Sequence, residues 1–285
     1  TCHLDGAPDA PCTSPQSFLG LADGPHTFTV TGTDWVGNTA SDTYNWTVDT
    51  VAPTVTIDTH PVSIDNHTSA DFTFTANDPA PSSGSTVTCK LDGGSFAPCD
   101  SNSAHHLAGL SQGNHTFTVK ITDAVGHTDS ASYSWVVDTV NPTTSITSHP
   151  ANPTASTVAN FGFTGADGGS GINHFECRRD GGSWSTCTSV NLGTATEGHR
   201  TFEVRAVDNA GNVDGSPATF NWLVDLTDPT VTVISPAART QDPYSLGDPR
   251  QIVNPYYPLH GGPPNYHCDD PLAGSPADAS GIASC

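Results

Sequence analysis

Along most of the chain, apolar and polar residues alternate. In "HTFTVKITD", starting at His115, one set is His115, Phe117, Val119 and Ile121, and the other is Thr116, Thr118, Lys120 and Thr122. A period of two belongs to a β-strand, whose successive side chains point to opposite faces. The pattern predicts an antiparallel strand with the first set buried and the second in water. "ADFTFTAND" (Phe72, Phe74, Ala76) and "ANFGFTGAD" (Phe161, Phe163) read the same way. Clusters of Gly, Asn, Asp and Pro interrupt the alternation at short intervals, as turns do. No segment keeps a convincing helical period.

The strands recur as a block. "CHLDGAPDAPC" begins at Cys2, "CKLDGGSFAPC" at Cys89 and "CRRDGGSWSTC" at Cys177, in steps of 87 and 88 residues. Downstream lie "HTFTVTGTDWVGN" from His26, "HTFTVKITDAVGH" from His115 and "RTFEVRAVDNAGN" from Arg200. Each block closes around a tryptophan, Trp46, Trp135 or Trp222, and then runs "VDTVAP", "VDTVNP" or "VDLTDP". A period near 88 residues is too long for a solenoid unit and suits a small domain. About seven short strands per block predict an all-β fold of immunoglobulin-like β-sandwiches in a linear array. The expected boundaries are 1–50 (partial, lacking its first strands), 51–139, 140–226, and 227–285 (the first part of a variant repeat). Half-domains at both ends fit a fragment, and head-to-tail assembly is the other reading they leave. The absence of Met in the chain also fits a piece of something longer.

Composition narrows the partners. The chain of 285 residues carries 29 acidic and 8 basic residues, for a net charge of −21. Only Glu176, Glu197 and Glu203 are glutamates; the remaining acids are aspartates, the acids of turns and hard-cation sites. Such a surface repels nucleic acid and anionic membrane, so neither is expected as a partner. No apolar run approaches the ~20 residues of a membrane span.

The residues quoted above, in the order F-x-F, S-G, C-x-x-D-G, C, G-x-H-T-F-x-V, D-x-A-G-N and W-x-V-D, resemble the tandem bacterial immunoglobulin-like repeats of large secreted and cell-surface proteins. The resemblance covers nearly the whole chain. It implies an extracellular or cell-surface location. It also implies a role as stalk, spacer or adhesive surface, or as modules appended to a secreted enzyme.

The cysteines decide whether the blocks hold any chemistry. A zinc site wants ligands two to four residues apart, brought together twice, and a redox motif wants Cys-x-x-Cys. Nine intervening residues fit neither. "LDGG" and "RDGG" are turn sequences between short strands, so the flanking cysteines should face each other across a hairpin. The expected pairs are Cys2–Cys12, Cys89–Cys99 and Cys177–Cys187, with Cys268 and Cys285 left to each other. Disulfides point to an oxidising, extracellular setting.

His26 and His115 stand two residues before a core Phe, just after a Gly turn. In immunoglobulin-like folds this is the corner where a Tyr bonds back to the backbone, so a corner role is expected for both. Arg200 in the third block argues against a shared metal ligand. His105 and His106 fall in a poorly patterned stretch and read as a solvated loop pair. No G-x-S-x-G, H-E-x-x-H, P-loop or dinucleotide-binding motif is present, and the chain is read as a non-enzyme.

Calcium is the one cofactor with a pattern behind it. In an immunoglobulin-like domain, the loops after strands B and F lie at the end where the chain enters. The sets so placed are Asp49, Asp78 and Asp123, then Asp138, Asp167 and Asp208, then Asp225 and Asp228 with Asp269 and Asp270. Carboxylates converging at a repeat junction suit calcium, which takes six to eight oxygens. Turn chemistry alone also accounts for Asp at these places. Trp35 and Trp184 are candidate platforms for stacking a sugar ring. The expected partners are neighbouring repeats of the same parent chain and a cell-surface or polysaccharide ligand. The expected function is a non-catalytic stalk, spacer or adhesive array. The runner-up is an accessory region of a secreted enzyme, for spacing or carbohydrate targeting.

Overall fold

A computed structural model describes residues 1–81, 84–188, 190–234 and 265–269. Every regular element among them is a β-strand. The chain divides into two compact units. The first is Thr1–Asn141 with 167–171 and 208–212; the second is Pro142–Ala166, 172–207 and the described residues from 213 on.

In the first unit, β1 (Cys2–Leu4), β2 (Gly24–Thr33) and β3 (Thr39–Val48) form one antiparallel sheet. Eight strands follow: β4 (Thr54–Thr59), β5 (Ile64–Asp65), β6 (Ser69–Asn77), β7 (Ser85–Leu91), β8 (Ala97–Pro98), β9 (Ala104–Ala108), β10 (Gly113–Asp123) and β11 (Thr128–Val137). They make two sheets, ordered β4-β6-β9 and β5-β11-β10-β7-β8. The short β5 pairs parallel to β11, and the other pairs are antiparallel. This is an immunoglobulin-like sandwich.

Alternation builds its core. In β6, Ala70, Phe72 and Phe74 are buried while Ser69, Asp71, Thr73 and Thr75 are exposed. From the facing sheet come Phe117, Val119, Ile121, Trp135 and Val137. Phe72 stacks on Phe117 at 4.2 Å between ring centroids and meets Trp135 at 5.3 Å.

The second unit contains β12 (Thr143–Ser148), β13 (Val158–Ala166), β14 (Ile172–Arg179), β15 (Ser185–Cys187), β16 (Val190–Thr194), β17 (Gly198–Asp208, whose last residue belongs to the first unit) and β18 (Ala218–Val224). Their sheets, β12-β13-β16 and β15-β14-β17-β18, give the same sandwich. Its core reproduces the first one closely: Phe161 stacks on Phe202 at 4.1 Å and meets Trp222 at 5.4 Å. A last pair, β19 (Thr230–Ile234) with β20 (Asn265–Asp269), is antiparallel.

The sheet β1–β3 has no partner sheet among the described residues. Tyr44 is 70% exposed where its counterpart Tyr133 is packed against a core. Gln16, Phe18, Phe28, Tyr44 and Trp46 line an open groove, and Phe18 covers Phe28 in place of a second sheet, at 5.3 Å.

Three expectations about local placement change. His105 and His106 are not in a loop. They lie on β9, where His105 stacks near Phe117 at 5.8 Å and His106 bonds Asp71 at 2.6 Å. Polar ring edges let histidine serve both faces of a half-buried strand. Thr118 is buried although it belongs to the outward set. Its hydroxyl bonds Ser132 Oγ at 2.9 Å, and beside it Lys90 of β7 and Lys120 of β10 set their ammonium groups over the Phe96 ring. The cysteines sit diagonally rather than opposite: Cys89 pairs with Ala97, and Cys177 pairs with Ser185. Diagonal Cα separations of 5.2 and 5.8 Å still permit the Cys89–Cys99 and Cys177–Cys187 disulfides. Cys2 and Cys12 are joined in the same way, with Cα atoms 5.9 Å apart. Cys285 lies outside the described residues, and with it the expected pairing to Cys268.

Candidate functional site: two carboxylate clusters

Each block ends in an aspartate that caps its own linker. Asp49 Oδ1 accepts the Val51 amide at 3.1 Å, Asp138 Oδ1 the Val140 amide at 3.0 Å, and Asp225 Oδ1 the Thr227 amide at 3.2 Å. This is the two-residue reach of an Asx turn. The turn after β2, β10 and β17 begins with another aspartate. Asp123 Oδ1 accepts three turn amides, from Val125, Gly126 and His127, at 2.7 to 3.0 Å. Asp208 accepts the Asn212 amide and its side-chain Nδ2, both at 2.8 Å. Turn chemistry is therefore satisfied at these positions.

The linker and turn aspartates also converge. In the first unit, ligand atoms of Asp138, Asp167 and Asp208 all lie within 4.8 Å of one another. Asp138 and Asp208 are almost fully buried. Asp167 holds the Gly169 and Gly171 amides through Oδ2, at 3.1 and 2.7 Å, while its Oδ1 is buried with no hydrogen-bond partner. Asp138 accepts from Gln112 Nε2 at 2.6 Å and from the Ser170 amide. Burial pushes the Asp138 carboxyl up, but the bonds from Ser170, Val140 and Gln112 outweigh it and hold it below the ordinary Asp value. Asn212 bridges the cluster to the chain, donating also to the Asp138 carbonyl at 2.8 Å. Among the described residues, no Lys or Arg bonds any of the three carboxylates. Two carboxylates ~5 Å apart repel by about 3 kcal/mol at an effective dielectric of about 20. With Asp138 and Asp208 buried and Asp167 half-buried, a cation placed among the three carboxylates would relieve this repulsion.

The second cluster joins Asp49, Asp123 and His127. Asp49 is buried, and its Oδ2 has no hydrogen-bond partner. His127 Nδ1 lies 2.8 Å from Asp123 Oδ2. Asp123 feels burial upward and the His127 and Gly126 bonds downward, and the net direction is down. His127 replaces the Asn212 of the other cluster and was not singled out from the sequence; the shared spacing of four from the turn Asp was the available signal. Asp78 is not one of the three converging groups here. Asp225 joins no such group among the described residues, and Asp270 lies outside them.

The donor sets fit a hard cation unequally. Three carboxylates, one with a free buried oxygen, suit calcium; a pair of carboxylates with an imidazole suits it less well.

The two tryptophans differ. Trp35 is fully exposed at the turn after β2. Trp184 is not open: its ring lies 4.5 Å from the Arg178 guanidinium and 4.2 Å from that of Arg205. Those arginines pair in turn with Glu203 and Glu176, each at 2.7 Å.

No protein-family model matches the chain, and no curated protein does. Solved structures of similar fold include the fibronectin(III)-like modules of Clostridium thermocellum CbhA, at 18% identity over 60% of this chain and 94% of that one, with a TM-score of 0.36. A tetra-tandem repeat from the extending region of a large adhesion protein is 22% identical over 75% of this chain and 60% of its own, with a TM-score of 0.30. Protocadherin Gamma B2 cadherin domains 3–6 are 14% identical over 79% and 68%, with a TM-score of 0.34. With TM-scores of 0.30 to 0.36, the fold rests on the chain's own sheet orders and repeated aromatic cores. The chain is a tandem array of immunoglobulin-like β-sandwich repeats.

Proposed function

We propose that this chain is part of a non-catalytic extracellular array in a larger bacterial protein, serving as a stiff stalk or spacer or as an adhesive surface. The repeats in this reading run 51–139 and 140–226, with partial repeats at 1–50 and 227–285. The observation that carries it is the Asp138–Asp167–Asp208 group at the end of a repeat, with Asp138 and Asp208 buried and Asp167 half-buried. Calcium held by these residues would neutralise the three acids and tie the linker after β11 to the turns after β13 and β17. Asp49 and Asp123 would form a weaker counterpart. The "VDTVNP"-type linkers support stiffness, because Pro142 and its equivalents fix φ and favour extended neighbours. Disulfides in the Asp-Gly hairpin of each of the three blocks support an oxidising location. Small-angle scattering of the full chain in millimolar calcium and in chelator tests the reading. A narrower spread of chain dimensions in calcium is expected; superimposable profiles would count against it.

Trp35 favours a second reading, accessory repeats that target carbohydrate, since an exposed indole can stack on a pyranose face. Quenching of tryptophan fluorescence by polysaccharide, lost in Trp35→Ala, would support it.

A further inference from the structure

His26 and His115 each turn both ring nitrogens to acceptors. His115 Nδ1 lies 3.0 Å from Asp92 Oδ2, and its Nε2 lies 2.8 Å from the Ser111 carbonyl. His26 repeats this with Asp5 Oδ2 at 2.7 Å and the Ala22 carbonyl at 2.8 Å. A neutral imidazole has one N–H, so it can serve one acceptor and must set a lone pair against the other. Only the imidazolium donates to both.

The third repeat meets the same acceptors with a permanent cation. Arg200 Nε donates to the Thr196 carbonyl at 2.9 Å, and Nη1 to Asp180 Oδ2 at 3.3 Å. The aspartate is a fixed hub in all three. Asp5, Asp92 and Asp180 hold φ of 51, 52 and 51° in the hairpin turn, a left-handed conformation that Asp tolerates. Each accepts an amide of the neighbouring long strand (β2, β10 or β17), from Thr27, Thr116 and Thr201, at 2.7 to 2.9 Å. Each also donates its own amide to the carbonyl of that same threonine.

We propose that this corner is a proton-operated clasp in the first two repeats, closed when His26 and His115 are imidazolium, and that Arg200 keeps the third permanently closed.

The groups facing the rings agree. His26 packs against Trp46 and His115 against Trp135, both at 5.6 Å, and neither indole titrates. Asp5 and Asp92 are the charged groups bonded to them among the described residues. The Ala22 carbonyl, then Asp5, raise His26 above its ordinary value. Burial lowers His115, but the Ser111 carbonyl and Asp92 outweigh it and the net direction is up. A His raised in the folded state contributes stability that is complete below its ordinary value of about 6.5. That contribution is lost as pH rises through the folded value. The clasp is therefore tight in mild acid and open in alkali, independently of any cation.

The test uses the full chain in chelator. Ring resonances of His26 and His115 are titrated by NMR, and thermal unfolding is followed between about pH 5 and pH 9, spanning the ordinary His value. Both rings should titrate above the ordinary value, and Asp92→Asn should bring His115 down. The loss of stability with rising pH should shrink in His26→Arg/His115→Arg, and Arg200→His should add a new loss. Rings titrating at or below the ordinary value would overturn the proposal. So would a double variant with the wild-type pH dependence. If that variant does not fold, the wild-type ring titration decides alone.

Discussion

The backbone of Gly169 crosses the carboxylate of Asp138 so closely that a methyl group on Gly169 would collide with both of its oxygens. The loop 167–171 can reach the acidic cluster because this position lacks a side chain. Gly169→Ala should force the loop or the carboxylate aside, at a cost of about 1–3 kcal/mol. Urea unfolding of the variant checks this, and an unchanged midpoint would mean the loop moves freely.

Phe117 is fully buried under Phe72, whereas Phe28, at the same place in the first block, has Phe18 and no second sheet across it among the described residues. Phe117→Ala should destabilise its repeat by about 3–5 kcal/mol. Phe28→Ala should cost no more than about half of that, because much less area leaves water there. Parallel unfolding curves of the two variants test the difference.

Replacing Cys89 and Cys99 together with Ser should lower the stability of that repeat by about 2–3 kcal/mol through the freed hairpin loop. Peptide mapping without reduction should recover Cys89 linked to Cys99. Linkage to any other cysteine would refute the hairpin.

The alternation that places Phe72, Phe74, Phe117 and Val119 on inward faces made the sandwich legible, because burial on one face imposes a period of two directly on the sequence. The cysteine pairs were legible for a similar reason: "LDGG" sets the turn locally. The gathering of Asp138, Asp167 and Asp208 could be anticipated from where loops fall in the fold. Less local features were not. Asp180 acts as a hub because Thr201 and Arg200, some twenty residues on, come back to it. The turn motif shows a turn residue but not its partners. The roof of Trp184 over Arg178 and Arg205 depends on a hairpin folding back across two strands, which no periodicity reports. His105 and His106 broke the apolar pattern of β9, so a strand carrying polar rings looked like a loop.

We propose that Asp138, Asp167 and Asp208 hold calcium and so stiffen the array. The most direct measurement is thermal unfolding of the full chain in millimolar calcium and in chelator, for the wild type and for Asp138→Asn and Asp167→Asn. A ligand that binds only the folded state at a hundredfold excess over its Kd stabilises by about 2.7 kcal/mol. A clear rise of the midpoint in calcium is expected for the wild type and a much smaller rise in either variant. A wild-type midpoint that is the same in calcium and in chelator would contradict it.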